Sequence, residues 1–204
     1  CPINTLMTHG FILSSFGAVS KNMDYEACRR EMRCAFACGS GMVELYNDYA
    51  LMNSIQHGQL WADLAECIKW QKANADVLPD AHWVGGNPWT GSKAEIYGWA
   101  TWNGEKATFT LRNGSNDAQT IKLTLRKALE IPASVNTSIV LTKAFLDQVA
   151  LSGLTEGQPI NIDTELTLTL PASSVYVFNG RDVKTAEVKV SSITTNSDTY
   201  TVLR

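Results

Sequence analysis

The chain has 204 residues, 45% of them hydrophobic and 18% charged, with a formal net charge of -3. That balance belongs to a folded globular protein with apolar material for a large core in one or two domains. It leaves no basic stripe to neutralise phosphates, which excludes nucleic acid as an expected partner, and no apolar run near the roughly 20 residues that a membrane span needs.

The chain opens on CPINTLMTHG, with no initiator Met and no basic, apolar leader, and so reads as a piece of something longer. INTLMT is a first strand candidate. In MDYEACRREMRCAFACG, Cys28, Met32, Ala35 and Phe36 recur at helical spacing opposite Arg29, Arg30 and Arg33. Asn22 or Asp24 can cap that helix, and Gly39 can close it. GMVELY is a second strand candidate. A second helix follows in HGQLWADLAECIKWQKANADVLP, with Trp61, Leu64, Ala65 and Ile68 on one face and Pro79 as its stop. Strand, helix, strand, helix is the repeat of an α/β domain with parallel strands. Two such units leave raw sheet edges, so partner strands are expected upstream of Cys1.

The composition then changes. All five Cys and all five Met lie in the first 67 residues, whereas 16 of 19 Thr lie after residue 100. From there the pattern alternates with period two: AEIYGWATWN and EKATFTLRNGS joined at the hairpin signal NGE, then AQTIKLTLRKAL, SIVLTKAF and TELTLTLPASSVYVFNG. Such runs predict an antiparallel β-sandwich. The expected division is residues 1–79 for the α/β part, 80–93 for a joint, 94–180 for the sandwich and 181–204 for a tail, which either adds edge strands or leads to a further module. The joint, DAHWVGGNPWTG over residues 80–91, carries His82, Trp83 and Trp89. Its aromatic side chains can fill the crevice between helix and sandwich, or they can form a stacking platform for a sugar ring. Alternation in EIYGWATW sends Trp99 and Trp102 to opposite sheet faces, which favours packing.

Chemistry-bearing motifs are sparse. Cys28, Cys34 and Cys38 share one helical segment, where disulfide geometry is rare, and read as small buried apolar residues. No pair of cysteines has zinc-ligand spacing, and the histidines at 9, 57 and 82 are far apart, so neither a metal nor another cofactor is expected. There is no nucleophile elbow, P-loop or His-Glu-x-x-His motif.

The set INTLMTHG, GSGMVELYNDYALMN, WADLAECIKWQKANADVLPDAHWVGGNP and EIYGWATWNGEKATFTLRNGS resembles the C-terminal portion of large bacterial glycoside hydrolases of the α-galactosidase-like type, some of which carry the label "enterotoxin". The resemblance covers roughly residues 2–180. It implies a fold of α/β plus all-β class: the last strand-helix units of a TIM barrel, (β/α)8, followed by an antiparallel β-sandwich. It makes INTLMT the seventh barrel strand and GMVELY the eighth. Side chains at the C-terminal ends of such strands face the active site, which nominates His9, Glu44, Tyr46, Asn47 and Asp48 for substrate binding. Each has a plainer reading: a salt bridge for Glu44, a backbone contact for His9, turn formation for Asn47 and Asp48. Retaining glycosidases use two carboxylates about 5 to 5.5 Å apart. In this family they are Asp residues on the fourth and sixth strands, which precede Cys1. The chain is thus expected to belong to an enzyme acting on O-glycosyl bonds, secreted or periplasmic, yet to be inert alone. Its partners would be a carbohydrate substrate and the remainder of the barrel. The alternative is a non-catalytic carbohydrate-binding or interaction module.

Overall fold

The computed structural model describes residues 2–14, 23–89, 94–183, 191–195 and 198–202. Cys1, Asn22, residues 90–93 of the expected joint and the tail positions 184–190, 196–197 and 203–204 lie outside the described residues.

The first part is a parallel strand-helix-strand unit. Strand β1 (Met7–Leu13) pairs in parallel with β2 (Met42–Asn47), and α1 (Tyr25–Ala37) connects them. The strand begins later than INTLMT suggests: Ile3–Thr5 forms a 3-10 turn, closed by Thr5 Oγ1 donating to the Pro2 carbonyl at 2.8 Å. Pro2 and Asn4 are turn formers, and their local hydrogen bonds outweigh the β preference of Ile3 and Thr5. Helix α1 follows its pattern. Asp24 is its N-cap, accepting from the Ala27 amide at 2.7 Å. Cys28, Met32, Ala35 and Phe36 are buried. Past its end, Gly39 has φ 81°, and a Cβ there would meet backbone and Ala81, so the helix stops at a residue without one.

Two features of the next stretch depart from the expected pattern. A short helix α2 (Tyr49–Ser54) precedes the long α3 (Gln59–Ala73). And α3 buries Leu60, Leu64, Cys67 and Trp70, leaving Trp61 40% exposed. The stripe is rotated by one position: Leu60 and Cys67 join the apolar cluster that α1 also supplies, while Trp61 instead meets Tyr49 of α2 with ring centres 6.2 Å apart.

The second part begins inside the expected joint. His82–Gly85 is a strand, β3, and it opens a six-stranded antiparallel sheet. Its further strands are β4 (Tyr97–Trp102), β5 (Lys106–Asn113), β7 (Ser138–Lys143), β8 (Pro159–Asn161) and β10 (Ser174–Val183), in the order β3-β4-β5-β10-β7-β8. A two-stranded sheet, β6 (Gln119–Thr124) with β9 (Glu165–Leu170), covers one face. The expected strand AQTIKLTLRKAL ends early, because Thr124 accepts from the Lys127 amide and starts a one-turn helix, α4 (Leu125–Ala128). In the tail, β11 (Ser191–Thr195) and β12 (Asp198–Val202) pair with each other in a separate sheet.

Period-two alternation divides the large sheet. Ala107, Phe109, Leu111, Ile139, Leu141, Tyr176 and Phe178 face the small sheet and form the sandwich core with Leu166, Leu168 and Leu170. On the opposite face Val177 joins the helical layer's core, with Phe145, Trp70, Phe36 and Phe11. Each such large side chain removed from water contributes about 1.5–3 kcal/mol. Helices and sheet are therefore joined by a continuous apolar layer.

Candidate functional site

The face of the β1-β2 pair turned away from α1 carries the residues of interest. Met7, His9, Met42, Glu44 and Tyr46 share this face, since alternation sends Thr8, Val43 and Leu45 toward the helices, and a register irregularity between His9 and Ile12 turns Phe11 the same way. His9 lies directly opposite Glu44 in the parallel register. Its Nδ1 is 3.2 Å from Glu44 Oε2 and 3.3 Å from the Tyr46 hydroxyl. The imidazole and phenol rings stack with centres 5.9 Å apart and planes 12° apart. A hydrogen bond to the Glu44 carboxylate holds the Tyr46 phenol above its ordinary pKa, so its proton stays on the oxygen. The three side chains stay accessible, His9 at 55% and Glu44 at 39% side-chain exposure. Together they present a carboxylate acceptor, an imidazole and a hydroxyl on one surface, a set suited to hydrogen-bonding a polyhydroxylated ligand.

The other nominated strand-end residues do structural work. Asp48 is the N-cap of α2, its Oδ1 accepting from the Ala50 and Leu51 amides at 2.8 and 3.2 Å. The Asn47 amide lies 3.2 Å from the carbonyls of Phe11 and Tyr46, and with its nitrogen toward them it ties the ends of both strands together. His9 sits within β1, not after it, because the strand begins at Met7.

Behind β1 a cavity of about 350 Å³ separates the unit from the large sheet, lined among others by His9, Cys34, Glu31, Trp99 and Arg112. Arg112 donates to both Glu31 oxygens, at 2.7 and 3.1 Å, and to Cys34 Sγ at 3.0 Å. The paired charges raise the Arg112 pKa against the opposing effect of burial, so the guanidinium stays charged. Burial pushes the Cys34 thiol up to about 11 despite Arg112 beside it. Sequence reading missed this pair. The available signal was parity: in TFTLRN, Arg112 falls in the same alternation as Thr108 and Thr110, on the face that the sandwich core does not use.

The joint residues lie at the sandwich edge. His82 Nε2 is 2.8 Å from the Ala128 carbonyl, linking β3 to α4. Trp83 lies opposite Trp99 in the register and stacks on Tyr97 at 4.9 Å with planes 4° apart. Trp83 is 47% exposed and Trp89 is 88% exposed. The crevice between helices and sheet is filled instead by Trp70, Phe145 and Val177. Among the described residues no group of three or more His, Cys, Asp or Glu side chains is placed to hold a metal ion, and no helix is long and apolar enough to cross a membrane.

No family model matches the chain, and no curated protein matches it by sequence. Solved structures do. The chain is similar to an α-galactosidase from Saccharomyces cerevisiae with raffinose, at 12% identity and a TM-score of 0.53, covering 84% of this chain and 46% of that one. It is also similar to an α-amylase from Geobacillus thermoleovorans complexed with acarbose, at 12% identity and a TM-score of 0.50, covering 81% of this chain and 35% of that one. The fold is one that glycoside hydrolases carry, with helices packed on antiparallel sheets as in their C-terminal sheet domain. The chain spans less than half the length of either enzyme structure.

Proposed function

We propose that the chain supplies the last two strand-helix units of a (β/α)8 barrel and the adjoining sandwich of a glycan-acting glycoside hydrolase of α-galactosidase-like type. The observation that carries this reading is the His9-Glu44-Tyr46 cluster, presented on the uncovered face of a parallel strand pair whose other face is packed on α1. In a closed barrel that face points to the interior. The exposure of Met7, Met42 and Tyr46 on it fits a surface that further parallel strands would cover. The sandwich is then a stabilising domain, bound to the helices through Trp70, Phe145 and Val177.

In this role Glu44 accepts from a sugar hydroxyl, His9 fixes the carboxylate's orientation, and Tyr46, its proton donated to Glu44, offers its phenol oxygen as an acceptor. Bond cleavage is assigned to two carboxylates on earlier strands, because Glu44 is the one carboxylate among the described residues of this face and Asp48 is engaged as a cap. The protein would work outside the cytoplasm, secreted or periplasmic.

The test compares aryl α-galactoside hydrolysis by the 204-residue chain with that by the full-length polypeptide. The chain alone should be inert and the longer protein active. In the active protein, Glu44→Gln and His9→Ala should each lower kcat/KM by about tenfold or more, the loss of one charge-assisted hydrogen bond to substrate. Wild-type kinetics in both variants would remove the cluster from the substrate pocket.

A further inference from the structure

We propose a second glycan-binding site on the sandwich edge, formed by Trp83 and Trp89. The choice of ligand class rests on the glycan-hydrolase reading, but the site itself rests on separate geometry. The Trp83 indole is held by three contacts. Its inner face lies against Tyr97 with planes 4° apart, Trp99 abuts it edge-on with ring centres at 5.9 Å, and its Nε1 donates to the Gly86 carbonyl at 3.1 Å. Tyr97 and Trp99 brace one another at 5.6 Å. The outer face remains open, so the ring is a rigid, flat apolar surface in water. Little ordering entropy is left to lose when a ligand stacks on it.

Trp89 extends the surface. It lines a concavity of about 470 Å³ together with Trp83, Asn87 and Pro88. Its position is set by the Asn87 side chain, whose Oδ1 accepts from the Trp89 amide at 2.8 Å, and the Asn87 amide in turn donates to Glu95 at 2.7 Å. An indole 88% exposed is not a packing residue among the described ones, and two neighbouring exposed indoles form an apolar patch of the kind that marks a contact site.

The rim decides what kind of ligand fits. A groove of about 710 Å³ continues from Trp83, Gly85 and Gly86 between the open edges of β3 and β6, and its charged residues are Glu95, Glu130, Lys122 and Lys127. Two carboxylates and two ammonium groups balance, so neither a phosphate nor a cation is favoured. An uncharged ligand that offers a flat apolar face for stacking and hydroxyls for carboxylate, amide and ammonium groups suits both parts of the surface: a neutral pyranose chain, with one ring on each indole. The Trp83 stack is on the opposite side of β4 from the sandwich core, the groove runs along that core's open edge, and neither shares a residue with the His9-Glu44-Tyr46 cluster.

The experiment is native affinity electrophoresis of the chain through gels containing galactomannan or soluble starch, with serum albumin as the unretarded standard. Retardation in at least one gel is expected. Trp89→Ala and Trp83→Ala should each weaken it at least fivefold, and Trp61→Ala, which removes a comparably exposed indole on α3, should leave it unchanged. Thermal melts of the variants identify any loss caused by unfolding, and Trp89→Ala is the decisive variant because its side chain is already in solvent. No retardation in either gel, retardation of both Trp variants equal to that of the unsubstituted chain, or a concentration-dependent dimer that Trp89→Ala dissolves would each overturn the proposal. If hydrolysis by the full-length protein stands while retardation is absent, the platform falls and the hydrolase reading survives. Retardation without hydrolysis supports the platform and removes that reading.

Discussion

Trp70 on α3 donates its indole N–H to Asn179 Oδ1 on β10 at 2.8 Å. The Asn74 amide, at the end of the same helix, approaches the same oxygen at 3.4 Å. This is a polar clasp within the apolar layer between helices and sheet, and around it Trp70 meets Phe145 with ring centres 6.3 Å apart. The two parts, so different in composition, are thereby joined through side chains distant in sequence.

The clasp predicts cooperative unfolding. Far-UV circular dichroism and tryptophan fluorescence should report the same melting transition. Trp70→Ala should lower stability by about 3–5 kcal/mol, while Trp70→Phe, which keeps most of the ring and loses the donor, should cost about 1–3 kcal/mol for the Asn179 oxygen left short of a partner. Two separated transitions, with Trp70→Ala moving only one, would show the layers to be independent.

Arg112 and Glu31 form the second tie, between β5 and α1. Neutralising Glu31 leaves a largely buried guanidinium without its carboxylate counter-charge, its other hydrogen-bond partner among the described residues being the Cys34 sulfur. Glu31→Gln is expected to destabilise the fold by about 1–3 kcal/mol, and Arg112→Leu combined with it should recover part of that loss, because the desolvated charge is then gone. A double variant no better than the single one would show that the pair is solvated and weakly coupled.

These ties also show what the sequence made legible. Helix α1 and the β4-β5 hairpin could be read closely, because their signals are local: an Asp cap, a 3.6-residue stripe, an Asn-Gly turn whose Asn103 side chain accepts from the Glu105 and Lys106 amides. The rotated stripe of α3 could not be read, since Trp61 and Leu60 are equally apolar and only the position of α1 decides which is buried. Strand β3 was hidden for a related reason. HWVG is too short to alternate visibly, and its pairing with β4 spans Gly86, Asn87 and Pro88, which read as turn formers. Within the candidate site, His9 opposite Glu44 depends on parallel register, which no local pattern encodes. The caps at Asp24 and Asp48 lay within local reach.

The thiols give a pH prediction. Burial raises Cys28 and Cys34 to about 11 and Cys67 to about 12. For these groups the folded value lies above the ordinary one of about 8.5. Their contribution to stability is therefore complete below pH 8.5 and is lost as pH climbs toward 11 or 12, the folded state resisting ionisation that the unfolded chain accepts. Iodoacetamide at pH 8, followed by peptide mass mapping, should leave all three unmodified in the native protein and label them in guanidinium. Rapid native labelling of Cys34 would mean that Arg112 stabilises its thiolate more than burial opposes it.

Gly98 sits where β4 meets β5 at the closest range. A Cβ at this position would lie 1.8 Å from the Thr110 carbonyl oxygen, a backbone atom held in the ladder by pairing on both sides. Gly98→Ala must push the strands apart and is expected to cost about 1–3 kcal/mol or more, with loss of the Trp83-Tyr97 stack seen in near-UV circular dichroism. An unchanged melting temperature would require β4 to be more loosely paired than its register indicates.

Thr110 points from the same ladder toward the helical layer, fully buried, and its hydroxyl has no hydrogen-bond partner among the described residues. Its neighbours in the alternation differ: Thr108 and Thr101 bond one another at 2.9 Å, and Arg112 has Glu31. A buried hydroxyl without a partner carries its full desolvation cost, whereas a methyl in its place carries none and fills nearly the same volume. Thr110→Val is therefore expected to stabilise the protein by about 1 kcal/mol, the uncommon direction for a core substitution, and to raise the thermal midpoint by a few degrees for a chain of this size. Thr101→Val is the contrasting variant, since it strands the Thr108 hydroxyl and should destabilise. If both substitutions lower the midpoint alike, the Thr110 hydroxyl is satisfied by a buried water, and the space beneath β5 is wet.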